Sequence, residues 1–246
     1  KAIPGAVTDV TIAPGGGALQ YRSQLQALNE CDEYGLEEAI ALKKAYGGRI
    51  TALTLGPITT QEILYQAIAK GADRAIRIDA QGLDPDLVGK ALAAALRTLD
   101  YDLILTGTQS RDTLSGTTGI VVAHHLDIPF AFAVTAVEQD APGSIKVRKE
   151  LGGGRNADVR MALPALLCVQ LGIQPLTYVP PGRMLRPRQQ PLRSLSLNDL
   201  GLSTGQPSPH RYHSVFPPAR TGCVQFLEGP APDIAAALLA KIKEVR

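Results

Sequence analysis

The chain has 246 residues, a length suited to one large or two small domains, and its 45% apolar and 20% charged residues give an ordinary globular balance. A formal net charge of +2 provides no bulk argument for nucleic acid or membrane binding, and no Trp with only 4 Phe and 7 Tyr leaves no platform for stacking bases. Cys31, Cys168 and Cys223 are odd in number and form no CxxC pair, which argues against a zinc site and a disulfide scaffold and fits a reducing compartment.

Residues 7–21 read as a hairpin, with Val7, Val10 and Ile12 on one arm, Leu19 and Tyr21 on the other, and Pro14 with the glycines 15 to 17 at the turn. A helix is predicted over 32–45, capped by Asp32, with Leu36, Ala39 and Ile40 at helical spacing and Gly47-Gly48 beyond its end. Ile50–Leu55 is a short apolar strand that exits at Gly56-Pro57. Thr59 and Glu62 have capping-box spacing before a helix that ends at Gly71. Ala75–Ile78 is the next strand, and Asp84-Pro85 opens a helix carrying Leu87, Val88, Ala91, Leu92, Ala95 and Leu96. Leu103–Thr106 is a further buried strand.

This alternation predicts an α/β fold: a parallel-sheet nucleotide-binding domain with helices on both faces. Such a domain usually opens on an apolar strand, whereas this chain begins Lys1-Ala2-Ile3-Pro4, so a preceding strand is expected outside the given sequence. Ala131–Val137, Ile145–Lys149 and Asp158–Ala162 form an antiparallel extension with turns at Pro142-Gly143 and Gly152–Gly154, and Ala165–Val169 is another buried strand. Residues 174–193 hold Pro175, Pro180, Pro181, Pro187 and Pro191 together with Arg183, Arg186, Arg188 and Arg193, and show no hydrophobic period, so an irregular surface arm is expected. The predicted division is residues 1–193 as the α/β domain and 194–246 as a C-terminal arm whose last helix is capped by Asp233.

The chemistry-bearing segment is Leu103-Ile-Leu-Thr-Gly107 followed by Thr108-Gln-Ser-Arg-Asp-Thr-Leu-Ser-Gly-Thr-Thr-Gly119. A parallel strand runs into a loop of glycines and hydroxyls and then a helix. Ligands of open α/β sheets bind at the carboxyl ends of strands, and a helix N-terminus attracts anions. Ser115, Thr117 and Thr118 supply hydroxyl donors, and Gly116 and Gly119 let the backbone approach a phosphate. The same features also suit a loop that only caps a helix. There is no Walker lysine and no GxGxxG. Asn29 and Asp32 suit a ribose or base edge as well as plain capping. His124 and His125 fall on the helix after the loop, and His210 and His213 lie in irregular sequence where a metal pair is a weak alternative. No nucleophile, general base or paired carboxylates form a catalytic set.

Several segments in order over nearly the whole chain resemble one family. They are Asn29-Glu-Cys-Asp-Glu-Tyr-Gly-Leu-Glu-Glu-Ala-Ile-Ala-Leu-Lys43, Ala67-Ile-Ala-Lys-Gly-Ala-Asp-Arg-Ala75, Gly107-Thr-Gln-Ser-Arg-Asp112, Val147-Arg-Lys-Glu-Leu-Gly-Gly-Gly154 and Leu163-Pro-Ala-Leu-Leu-Cys168. Together they resemble the beta subunit of electron-transfer flavoprotein. The resemblance implies an electron carrier rather than a self-sufficient enzyme, paired with an alpha subunit that holds most of the FAD site. It implies electrons arriving from a flavin-dependent dehydrogenase and leaving to a quinone reductase or another acceptor, in the bacterial cytoplasm or mitochondrial matrix, with no membrane insertion. It implies a structural AMP lined by Asn29, Cys31, Asp32, Leu55, Asp112, Thr113, Leu114, Ser115, Gly116, Thr117, Thr118, Gly119 and Val122, with Ala6 and Cys31 near the flavin.

Electron-bifurcating members hold a second FAD in that pocket and usually read Asp-Gly-Asp-Thr-Ala-Gln-Val-Gly, which Asp112-Thr-Leu-Ser-Gly-Thr-Thr-Gly119 does not match. A stand-alone adenine-nucleotide sensor is the alternative from another class. The family's Asn-x-Pro-Arg-Tyr becomes Gln174-Pro-Leu-Thr-Tyr178, and its dehydrogenase-anchoring leucine falls at Pro181. Met184 and Leu185 are then the nearest apolar anchors, and the arginines of the arm add charge steering for a docking partner.

Overall fold

The computed structural model describes residues 1–5, 10–14, 19–21, 26–189, 192–203, 214–217, 222 and 224–244. Ala6, Val7, the glycines 15 to 17, His210, His213 and Cys223 lie outside them.

The chain opens on β1 (Ala2–Pro4), β2 (Val10–Ile12), β3 (Leu19–Tyr21) and β4 (Gln26–Leu28). β2 and β3 pair antiparallel, Ile12 opposite Leu19, as the hairpin reading expects, and β1 pairs antiparallel with β4. Helix α1 spans Glu30–Tyr46, two residues earlier than predicted. Asn29, not Asp32, occupies the position before its first turn, and its side chain makes no cap bond. Glu30, Asp32 and Glu33 instead place negative charge in the first turn, where the helix dipole favours it.

β5 (Thr51–Leu55) and β6 (Arg74–Asp79) are parallel neighbours, joined through α2 (Gln61–Lys70). The capping box expected of Thr59 and Glu62 does not form. Pro57 starts a 3-10 turn over Ile58–Thr60, and the Thr60 hydroxyl donates to the Pro57 carbonyl at 2.8 Å. Gly71 ends α2 as expected, at φ 145°. Helix α3 (Pro85–Leu96) carries the cap read from sequence: the Asp84 carboxylate accepts from the amides of Asp86 and Leu87 at 2.9 and 3.2 Å. The third strand of this parallel sheet comes from far along the chain. β12 (Arg193–Ser196) lies on the other side of β6, in the order β12-β6-β5. β6 is buried at four consecutive positions, Ala75 to Ile78, as a strand covered on both faces must be.

The second sheet has the order β10-β9-β8-β11-β7. β7 (Leu103–Gly107) and β11 (Ala165–Val169) are parallel, and β11 is also parallel to β8 (Phe130–Ala141). β8, β9 (Ser144–Gly152) and β10 (Arg155–Ala162) form the predicted antiparallel extension, each longer than the sequence suggested. All five residues of β11 are buried. Ala165 and Leu167 face a cluster with Val134, Val147 and Met161, while Leu166 and Cys168 face a second cluster with Ile104 and with Val122 and Ala123 of α4 (Thr118–Leu126). Strand alternation thus divides one strand between two cores.

The arm is more ordered than its composition suggested. Pro181–Met184 forms a 3-10 turn and Leu185–Arg188 a single turn, α5; Met184 and Pro187 are buried, and both pieces pack against α2. Residues 194–202, read from sequence as part of the C-terminal arm, pack with the sheet and its core. β12 adds to the sheet, and Leu195, Leu197, Leu200 and Leu202 join Ile78, Ala91 and Ala95. The last helix, α6, spans Ala231–Glu244. Asp233 does not cap it but sits inside its first turn, its amide donating to the Pro230 carbonyl at 3.0 Å.

Candidate functional site

The carboxyl end of β7 meets the amino end of α1. A Cβ on Gly107 would lie 2.6 Å from the Cys31 Cβ and 2.7 Å from the Asp32 nitrogen, so only glycine permits this approach. Asp32 Oδ1 accepts the Gly107 amide at 2.8 Å, and its Oδ2 accepts from Asn29 Nδ2 at 2.8 Å. Asn29, 1% exposed, also donates to the Gln109 carbonyl at 2.9 Å and accepts the Arg111 amide at 3.1 Å. Lys1 Nζ reaches Ser110 Oγ at 2.9 Å and Asp112 Oδ1 at 2.7 Å, and the hydroxyls of Ser110 and Thr113 pair at 3.0 Å. Burial raises the Asp112 carboxyl, but the Lys1 ammonium and the Ser110 hydroxyl outweigh it and hold the group below its ordinary value. The first half of the loop is therefore tied to α1 and to the chain's opening residues by polar contacts of high sequence separation.

The second half is bonded differently. Leu114 at φ 53° and Gly116 at φ 62° both adopt the left-handed conformation and turn the chain into α4. Thr117 precedes α4 in a helical conformation with no side-chain cap bond, and the first helical bond runs from the Val121 amide to the Thr117 carbonyl at 2.9 Å. The amides of Thr118, Gly119 and Ile120 precede that bond and have no intrahelical acceptor. Among the described residues, none bonds the hydroxyls of Ser115, Thr117 or Thr118. Gly119 seats this end on the sheet: its Cβ would lie 2.6 Å from both Cys168 Sγ and Thr106 Oγ1. Three amides and three hydroxyls without a partner among the described residues, with a helix dipole at the same turn, suit a phosphate or another small anion.

Thus Asn29 and Asp32 do meet the loop, but they bond it rather than standing free for a ribose. Thr113, Leu114, Ser115 and Thr117 are exposed, while Asp112, Gly116 and Thr118 are half-buried and Gly119 is buried. Val122 is 1% exposed in the core beneath α4. Leu55 ends β5 half-buried and packs with Ile78, Ala91 and Leu83. Cys31 is buried, and its sulfur accepts from the Thr108 hydroxyl at 3.6 Å. Burial also pushes the Cys168 thiol up, which suits a packing role. In the arm, Pro181 and Leu185 are exposed and Met184 is buried, so of the two apolar anchors only Leu185 stands outward. Among the described residues, no group of His, Cys, Asp and Glu is placed to hold a metal ion.

Lys1, the Gln109 carbonyl and the Arg111 amide were not foreseen as parts of this framework. Backbone partners carry no residue signature, and a single lysine has no local signal.

The electron transfer flavoprotein domain matches residues 19–200, most of the chain. The chain is similar to the electron transfer flavoprotein subunit beta of Methylophilus methylotrophus, 34% identical over 230 residues that cover 89% of this chain and 86% of the relative. It is 29% identical to the subunit of the same name from Bacillus subtilis (strain 168) over 232 residues, covering 92% of this chain and 90% of that one. The human subunit beta is 31% identical over 229 residues, 89% of this chain and 85% of its own length. On a family match spanning most of its length and a relative above 30% identity along both chains, the polypeptide belongs to the electron transfer flavoproteins, on the beta-subunit side of that family.

Proposed function

We propose that this chain is one half of a heterodimeric electron carrier and that it binds AMP where the Gly107–Gly119 loop enters α4. The observation that carries this reading is the start of α4, where the amides of Thr118, Gly119 and Ile120 and the hydroxyls of Ser115, Thr117 and Thr118 have no partner among the described residues. These groups would take the phosphate, with Gly116 and Gly119 allowing close approach. Asn29 and Asp32 would act from behind, holding the loop through Gly107, Gln109 and Arg111. Cys31, Leu55, Asp112, Thr113, Leu114 and Val122 complete the proposed surround as wall or support.

In this reading the alpha subunit carries FAD, which supplies the redox chemistry, while the beta chain binds and orients. Its Ala6 and Cys31 would lie toward the flavin, and AMP would act as a structural ligand. Residues beyond Leu202, including α6 with exposed Leu238, Leu239 and Ile242, would pack on the alpha subunit. The arm, with Leu185 and its arginines outward, would dock a flavin-dependent dehydrogenase, and electrons would pass on to a quinone reductase or another acceptor in the cytoplasm or mitochondrial matrix. No helix among the described residues is long and apolar enough to cross a membrane.

The test is nucleotide extraction from the purified heterodimer. The expected content is one FAD and one AMP. Two FAD would make this a bifurcating subunit, and FAD alone would refute nucleotide binding by this chain.

A further inference from the structure

Two neighbouring carboxylates of α1, Glu37 and Glu38, are 5% and 2% exposed, and their hydrogen-bond partners among the described residues lie outside the nucleotide loop. Both reach the irregular segment that follows β11. Glu37 Oε1 accepts the Thr177 amide at 2.9 Å, and its Oε2 accepts the Thr177 hydroxyl at 3.1 Å. Lys70, at the end of α2, is 5% exposed in its side chain; it donates to Glu37 at 2.6 Å and to the Thr177 carbonyl at 2.7 Å. Glu33 flanks Lys70 at 2.8 Å, and Gln174 Nε2 donates to Glu38 at 2.8 Å. The amide, hydroxyl and carbonyl of one residue are therefore all held by a single buried ion pair.

Burial of opposite charges is costly, and an apolar pair of similar volume often serves stability equally well. Here the pair is directed at the backbone of a segment with no sheet or helix partner of its own. One residue later the chain turns outward: Tyr178 is 78% exposed, and Leu185 is 62% exposed between Arg183 and Arg186. Downstream the arm is fixed again where Met184 and Pro187 bury against α2. Between these two fixed points, the grip on Thr177 sets where Tyr178 and the residues leading into the Leu185 turn stand.

We propose that Glu37 and Lys70 are positioning residues for partner docking: together they clamp Thr177 and so present the Tyr178–Leu185 surface in one register to an incoming flavin dehydrogenase. This rests on the docking role assigned above to the arm. Neither residue touches a cofactor, so loosening the clamp should weaken encounter without altering the flavin.

The decisive variant is Glu37→Leu with Lys70→Met in the heterodimer. The two buried charges are removed together; Glu33 loses its contact with Lys70 but is 26% exposed and keeps water, so the fold should persist, but nothing then holds Thr177. The assay uses a flavin-dependent dehydrogenase that reduces the wild-type heterodimer. The expected result is a KM for the heterodimer raised about tenfold with kcat held within about twofold, and unchanged reduction by dithionite. Thr177→Val, which removes only the hydroxyl contact, should give a smaller rise in the same direction. A wild-type KM in the double variant overturns the proposal. Trypsin cleavage after Arg183, which Met184 follows, gives a readout that needs no partner: the double variant should be cut faster, and equal rates overturn the clamp. If no dehydrogenase reduces the wild type, the docking reading fails separately, and the cleavage rates still decide whether the clamp exists.

Discussion

Gly119 offers a quantitative test of how the candidate site is built. Its α carbon faces β7 and β11 so closely that a methyl group would sit 2.6 Å from Cys168 Sγ and 2.6 Å from Thr106 Oγ1, with Leu166 Cδ2 at 3.3 Å. Neither of the first two atoms ends a long flexible side chain, and Cys168 is 1% exposed, so Gly119→Ala must push the start of α4 off the sheet. Overpacking of this kind costs about 1–3 kcal/mol, and two simultaneous clashes favour the upper half. Alanine regains up to about 1 kcal/mol of helix propensity. The net loss should be about 1–2 kcal/mol, or roughly 2–8 °C in Tm for a chain of this size. Gly182→Ala is the control, because a Cβ there meets nothing within 4 Å and its φ is ordinary. Thermal unfolding of the heterodimer with FAD, run beside AMP quantification, reads both consequences. Adding Cys168→Ala should return part of the lost Tm. Equal Tm and equal AMP content for Gly119→Ala and Gly182→Ala would refute the claim that close helix–sheet seating forms the site.

Asn29→Ala removes three hydrogen bonds from a residue 1% exposed and leaves Gln109 and Arg111 unpaired; it should cost about 1–3 kcal/mol and lower AMP retention, and full AMP occupancy at unchanged Tm would contradict this. Met184→Ala should cost about 2 kcal/mol by emptying a buried site, whereas Leu185→Ala should leave Tm unchanged and slow electron transfer from the dehydrogenase; unchanged transfer in the Leu185 variant counts against the docking anchor. Burial pushes the Glu38 carboxyl above its ordinary value despite the bond from Gln174, so its folded pKa exceeds its unfolded one. Stability from this group is then full below about pH 4 and lost as pH rises through the folded pKa, so Glu38→Gln should stabilise the protein at pH 7 and be neutral in acid; an equal effect at both pH values would show the sign to be wrong.

Local signals carried the alternating elements and the site loop. Asp84-Pro85 caps α3 as read because cap and first-turn proline are adjacent and their partners are two and three residues away. Readings failed where distant contacts decided the outcome. Asp32 was expected to cap α1, but Gly107, 75 residues later, takes its carboxylate. The arm's lack of period concealed two packed turns, because Met184 and Pro187 are buried by α2 rather than by neighbours in sequence. β12 holds a single large apolar residue, Leu195, and becomes a strand through its pairing with β6. The loop at 107–119 was visible as a concentration of glycine and hydroxyl residues, but the framework behind it was not, since the bonds to Gly107, Gln109 and Arg111 end on backbone atoms.

Because β11 is hydrogen-bonded to β7 on one edge and β8 on the other, the long antiparallel ribbon and the loop that follows Gly107 are leaves of one spine. Anything that grips the ribbon's far tip, around Gly152–Gly154, holds a lever whose fulcrum lies beside the start of α4. The ribbon leaves that spine through a break in regular pairing, since β8 is bulged between Val134 and Ala136 and Ala133 sits at φ 56°, so the lever bends at its root.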